Sequence, residues 1–179
     1  MSFAQKKYDL ALKYCQPAAE QGDPEAQYYL GLMYNKGFGL KQDYTEAMKW
    51  YLKAAEQDNK DALCSLANMY LEGEGVKQDY FKAFEWYQKA AEQGNADAQL
   101  NLGFMYENGR GVKQDYFKAV EWYQRAAEQG VADAQYNLGN MYYNGQGVRQ
   151  NYTKAKEYFG LACDNKYQAG CDMYRKLNQ

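Results

Sequence analysis

The 179-residue chain has no histidine. The side chain best suited to moving protons near neutral pH is therefore missing. Serine is almost absent too, occurring only as Ser2 and Ser65. No apolar run approaches the roughly 20 residues needed to span a bilayer. The opening stretch, Met1-Ser2-Phe3-Ala4-Gln5-Lys6-Lys7, lacks the apolar segment of a signal peptide, which by itself leaves the compartment open. Nor is there an excess of charge. Lys and Arg number 21 against 23 Asp and Glu, a formal charge of -2, and the basic residues form no block. No nucleic-acid partner is expected from that balance.

What the chain has in abundance is aromatic rings, with 20 Tyr and 3 Trp. At that density they serve packing, recognition or both. They recur in register. Ala26, Ala62, Ala98 and Ala134 stand 36 residues apart, and so do Leu30, Leu66, Leu102 and Leu138. Met33, Met69, Met105 and Met141 keep the same interval, each followed by Tyr. Lys77-Gln78-Asp79-Tyr80-Phe81-Lys82-Ala83 returns as Lys113-Gln114-Asp115-Tyr116-Phe117-Lys118-Ala119. A fixed period of this length is the signature of a stacked repeat protein.

The spacing divides the chain into a half-repeat over 5–25, full repeats over 26–61, 62–97, 98–133 and 134–169, and a half-repeat over 170–179. Each full unit reads as two helices. In the first, Ala26, Leu30, Met33, Tyr34 and Gly37 follow the 3, 4, 7, 8 spacing of one helical face. Gly37-Phe38-Gly39 then offers a left-handed helix stop and a reversal. Asp43 sits where an N-cap belongs. The second helix carries Tyr44, Ala47, Trp50, Tyr51, Ala54 and Ala55 on its packed side. One such unit cannot bury its apolar face alone, but stacked neighbours can. The terminal half-repeats are expected to act as caps.

The pattern Ala-x-x-x-Leu-Gly-x-Met-Tyr-x-x-Gly-x-Gly, followed by Asp-Tyr-x-Lys-Ala-x-x-Trp-Tyr-x-x-Ala-Ala, resembles the Sel1-like repeat, a relative of the tetratricopeptide repeat. The likeness covers essentially the whole chain. Departures are Ala67, where Gly31, Gly103 and Gly139 stand elsewhere, and Tyr158 in place of Trp. The resemblance implies an all-α fold: a right-handed α-solenoid of antiparallel helix pairs, about ten helices in all. Its concave face would be lined by the first helices. It also implies an adaptor that binds other proteins.

Comparing the copies separates framework from surface. Positions one, five, eight and nine of the first helix do not vary, and at about 100° per residue they share one arc. Positions three, seven and ten lie opposite, and they change from copy to copy. They are Tyr28, Leu32 and Asn35; Cys64, Asn68 and Leu71; Leu100, Phe104 and Glu107; and Tyr136, Asn140 and Tyr143. By analogy with the tetratricopeptide groove, these twelve residues form the expected binding groove. Aromatics interspersed with Asn suit recognition better than a solvated face. The plainer reading is that they cover seams between repeats.

Other recurrent features read as framework. The Gly-x-Gly elements follow helices and lack the strand and Lys of a phosphate loop, so they are turns. Trp50, Trp86 and Trp122 fall on the packed arc and are expected in the core. Glu20, Glu56, Glu92 and Glu128 form no close cluster, so no metal site and no cofactor are expected. In the last unit, however, Cys163 replaces the Ala127 position and Cys171 the Gln135 position. The Cys-x7-Cys spacing sets two thiols across an interhelix turn, at a separation a bridge can span. The same spacing occurs in the cysteine-rich, Helicobacter-type branch of the Sel1-like family, and that resemblance implies a disulfide. Two small reduced thiols are the other reading. A bridge would argue for a periplasmic or secreted protein, its absence for a cytoplasmic one.

These features favour a monomeric adaptor that holds a protein or peptide in the groove. A second reading is a binder of cell-wall fragments or glycans. A β-lactamase-like hydrolase is the third. It would need a nucleophilic Ser with Lys three residues on, whereas Ser65 is followed by Leu66, Ala67 and Asn68, and Ser2 by Phe3, Ala4 and Gln5. No catalytic residue is therefore assigned. Thiol titration of the unfolded, unreduced protein checks the cysteine reading: two reactive thiols mean a bridge, and four mean none.

Overall fold

Short polar turns and strong helix formers between them leave one local choice for most of the chain. The computed structural model describes residues 3–179, and among these there are ten helices and no strand. Ser2 lies outside the described residues. The helices fall into two compact units. The first holds α1 (Phe3–Glu20), α2 (Pro24–Lys36), α3 (Tyr44–Ala55), α4 (Lys60–Glu72) and α5 (Tyr80–Glu92). The second holds α6 (Ala96–Asn108), α7 (Tyr116–Glu128), α8 (Ala132–Asn144), α9 (Tyr152–Asp164) and α10 (Gln168–Lys176). Within each unit, short connections make successive helices antiparallel neighbours. Even-numbered helices are the first of each repeat, and odd-numbered helices the second.

The helix ends follow from single residues. Asp43, Asp79, Asp115 and Asn151 open the second helices, each side chain accepting a hydrogen bond from a first-turn backbone N–H. This satisfies a donor that the helix leaves unpaired. Gly37 closes α2 at φ 70°, donating its N–H to the Met33 carbonyl. Gly39 also has positive φ, and a Cβ there would lie 2.9 Å from the Tyr8 Cβ. The expected left-handed stop is thus present, and the second glycine lets the turn approach the preceding helix.

The invariant Gln of each Lys-Gln-Asp-Tyr or related segment has a role that its spacing did not suggest. Gln42 Nε2 donates to the Asn35 carbonyl at 2.8 Å. Gln78, Gln114 and Gln150 make the same bond to Leu71, Glu107 and Tyr143. Each glutamine closes the turn onto the last turn of its own first helix, where carbonyls lack intrahelical partners.

Packing centres on a ring set against a small residue. Tyr51, Tyr87, Tyr123 and Phe159 of the second helices are fully buried. A Cβ built on Gly31 would meet the Tyr51 ring at 2.7 Å, one on Gly103 the Tyr123 ring at 2.5 Å, and one on Gly139 the Phe159 ring at 2.7 Å. The glycine is therefore space for the ring. Invariant alanines on the same face, among them Ala47, Ala83, Ala119 and Ala155, have no exposed surface. The tryptophans differ from expectation. Trp50, Trp86 and Trp122 are only half-buried, because the adjacent Tyr takes the core position. A cation three residues on covers each indole: Lys53 at 4.1 Å, Lys89 at 4.5 Å and Arg125 at 4.5 Å.

A second recurrent Gln joins successive repeats at two places, while Leu63 holds the position at the α3–α4 joint. Gln27 Nε2 donates to the Ala19 carbonyl, and Gln135 to the Ala127 carbonyl, both at 3.2 Å and both buried. In the last unit the equivalent positions are Cys171 and Cys163, and they form a disulfide with a Cα–Cα separation of 4.5 Å. A covalent bond replaces the hydrogen bond where α10 packs on α9. For a closed loop this short, the chain-entropy model gives roughly 2–3 kcal/mol.

The ring-on-glycine contact predicts a graded response. Gly103→Leu should destabilise the protein by about 2 kcal/mol through overpacking. Gly103→Ala should cost less, about 1 kcal/mol, because its Cβ still enters the space of the Tyr123 ring but Ala67 opposite Tyr87 shows that such a pair can settle around one methyl group. Urea midpoints of the two variants test it, and equal midpoints would contradict the account.

Candidate functional site

Four residues at positions three, seven and ten of the first helices, Tyr28, Asn68, Glu107 and Tyr136, touch the buried rings. In the first unit the Tyr28 ring lies 6.0 Å from that of Tyr51 and 5.2 Å from that of Tyr29. Tyr28 is half-buried, and burial, with Asp61 nearby, pushes its phenol up from the usual value. Leu71 is half-buried and Asn68 exposed. The Tyr87 hydroxyl donates to the Asn68 side-chain carbonyl. A core ring thus reaches the variable face through its hydroxyl.

Three of the expected groove residues sit elsewhere. Cys64 is buried, because the α4 face at this position turns into the core. Asn35 is also buried, its amide donating to Glu74 Oε2 at 3.3 Å, and the Tyr44 hydroxyl donates to the other oxygen of Glu74. Asn35 therefore holds a turn in place instead of offering a free amide. Leu32 lines an apolar cavity between α1 and α2.

In the second unit the expected face is better developed. Phe104 is 39% exposed, with the Arg110 guanidinium 5.2 Å from its ring. Leu100, Asn140 and Tyr143 are half-buried, and Tyr143 meets Tyr152 edge-on at 5.2 Å. Tyr136 packs on Phe159 at 5.5 Å and on Tyr167 at 5.1 Å. Glu107 accepts a 2.6 Å hydrogen bond from the Tyr123 hydroxyl. Tyr136 is thus braced from below by a core ring, while Phe104 and Tyr143 are flanked by Arg110 and Tyr152.

The residues that sequence reasoning missed are the hydroxyl-bearing rings beneath the face. Their signal was present fourteen residues on. The Tyr51 hydroxyl lies near Ser65, and that of Tyr123 near Asn137. Where the ring is Phe159, without a hydroxyl, the matching residue is Met173; where it is replaced by Cys15, the matching residue is Tyr29. Among the described residues no group of three or more His, Cys, Asp or Glu could hold a metal ion, and no helix is long and apolar enough to cross a membrane.

Burial pushes the phenols of Tyr51 and Tyr123 far above the ordinary tyrosine value, and the Glu107 carboxylate adds to the effect at Tyr123. The folded state thus holds the neutral phenol. This stabilisation is complete below the unfolded value of about 10 and is lost as pH rises above it. In an alkaline titration these two rings should ionise together with loss of helical circular dichroism. Ionisation of every tyrosine near pH 10 with helicity intact would refute the assignment.

Comparison with known proteins was made against this geometry. Residues 3–23, 24–59, 60–95, 96–131 and 132–167 each match the Sel1 repeat. A protective antigen of uropathogenic Escherichia coli displaying an SLR fold is 41% identical, with a TM-score of 0.87 over 89% of this chain and 34% of that one. A Sel1 repeat protein from Oxalobacter formigenes is 37% identical, with a TM-score of 0.86 over 93% of this chain and 48% of that one. The Helicobacter pylori cysteine rich protein B is 30% identical, with a TM-score of 0.59 over 74% of this chain and 96% of that one. This chain therefore spans less than half the length of the first two relatives. No curated protein matches it.

Proposed function

Because the chain belongs to the Sel1 repeat family, we propose that it is a non-catalytic adaptor, taking a partner protein or peptide on the variable face of its first helices. Sel1 repeat proteins are in general scaffolds for protein interaction. One observation carries the finer reading: variable aromatics stand on invariant rings, as Tyr28 does on Tyr51 and Tyr136 on Phe159. Side chains braced in this way lose little entropy on binding, which favours their use as anchors. Asn68 and Asn140 flank them with adaptable hydrogen-bonding groups. The working face is thus Tyr28, Asn68, Leu71, Leu100, Phe104, Glu107, Tyr136, Asn140 and Tyr143, without Leu32, Asn35 and Cys64.

The sequence around Ser65, which is followed by Leu66, Ala67 and Asn68 with no Lys, supports the non-catalytic reading. The Cys163–Cys171 disulfide supports an oxidising compartment, periplasmic or secreted. That the Escherichia coli relative is a protective antigen supports the same placement.

The test is capture by affinity chromatography from the source organism, with three baits. Phe104→Asp combined with Tyr143→Asp should abolish recovery of the bound protein at unchanged helicity. A second-helix control, Lys89→Glu, should leave recovery intact. Capture that survives the double substitution would refute the proposal, as would its displacement by small muropeptides alone.

A further inference from the structure

The joint between α3 and α4 departs from the repeat at three positions, and the three meet at one cavity. Leu52 stands where α1, α5 and α7 have Gln16, Gln88 and Gln124. Those glutamines donate to Glu20, Glu92 and Glu128, one helical turn on, at 3.0 to 3.1 Å. Leu52 has no amide to offer Glu56. Leu63 stands where other first helices have Gln27, Gln99 and Gln135, which accept from Gln57, Gln129 and Asn165. The matching Gln93 instead donates to Asp58 at 3.2 Å. Asp58 itself replaces Gly22, Gly94 and Gly130, and it takes φ 59°. Glycine holds that conformation without steric cost, whereas a Cβ makes it unfavourable. In the last joint the same positions hold Gly160, Lys166 and Cys171, and there the disulfide makes the connection.

The cavity measures about 560 Å³, within the span of true ligand sites. Ala55 and Leu63 are its buried apolar lining, and Leu52 is 37% exposed. The half-buried Trp86 is a further wall, with Lys89 Nζ 4.5 Å from its ring. The charged side chains of the lining are Glu56, Asp58 and Glu92 against Lys89. Two of the departures thus add apolar surface, and the third adds a carboxylate. The whole cavity lies within the first unit, and none of its lining residues belongs to the variable face.

We infer that this cavity takes an arginine side chain of a partner peptide, with an apolar residue beside it. A guanidinium is planar, weakly hydrated and rich in donors. It can therefore lie on apolar surface while answering more than one carboxylate. The methylene stem of arginine suits Leu52 and Leu63. A free arginine would leave the exposed Leu52 in water, whereas an adjoining leucine of a peptide would cover it. The site does not depend on the adaptor reading, since it shares no residue with the variable face.

A fluorescein-labelled peptide, Gly-Ser-Leu-Arg-Leu-Gly, tests this by anisotropy against the intact protein. Binding with a Kd on the order of 100 μM is expected. The same peptide with citrulline for arginine keeps the shape and loses the charge, and it should bind at least about tenfold more weakly. The triple variant Leu52→Gln, Asp58→Gly, Leu63→Gln restores the residues that other repeats use at these positions. It should keep its helicity and lose at least about tenfold in affinity. Glu56→Gln, at an exposed position, should weaken binding about threefold. Phe104→Asp with Tyr143→Asp should leave this binding unchanged, which separates it from capture on the variable face. Absence of binding at about 1 mM protein overturns the inference. So does equal affinity for the citrulline peptide, or full binding by the triple variant. Displacement by N-acetylarginine amide at the concentration of the peptide itself would make the site one for a small cation, and also overturn it.

Discussion

The Tyr123 ring rests on the bare backbone of Gly103, and the same arrangement joins Tyr51 to Gly31 and Phe159 to Gly139. A six-membered ring needs space between two helices, and a residue without a side chain provides it. The buried alanines on either side then let the helix axes approach. Much of the apolar burial that stabilises each pair depends on this fit. It also sets the position of the variable face, because that face is the layer of side chains resting on the rings.

The joints between repeats use a different chemistry. A buried glutamine reaching the carbonyl of the preceding helix is directional, and removing it would leave a buried acceptor unsatisfied. Such a joint works where neighbours exclude water from both sides. Between α9 and α10 the joint is Cys163–Cys171. The disulfide needs no exclusion of water. The same place in the fold is therefore held by a hydrogen bond at Gln27 and Gln135 and by a covalent bond at Cys171. This links the placement of the cysteines to the fold itself and, through their redox chemistry, to the compartment.

The variable face carries what differs between repeats, and the rings beneath it carry what they share. Departures from the repeat are therefore informative where they come in pairs: Cys15 with Tyr29, Phe159 with Met173, and Cys163 with Cys171.

The 36-residue period by itself determined the helix pairs, the glycine stops, the aspartate caps and the arc that would be buried. Each depends on local chemistry: a backbone conformation, an unpaired amide, or the angle between successive side chains. The variable face was legible only in part. Tyr28, Phe104, Tyr136 and Tyr143 stand where the helical angle puts them. Asn35, Cys64 and Leu32 do not serve that face, because burial depends on what approaches from other helices and turns, such as Glu74 toward Asn35. Trp50, Trp86 and Trp122 follow the same rule: one residue of the Trp-Tyr pair can meet the glycine, and only the three-dimensional approach of two helices decides which.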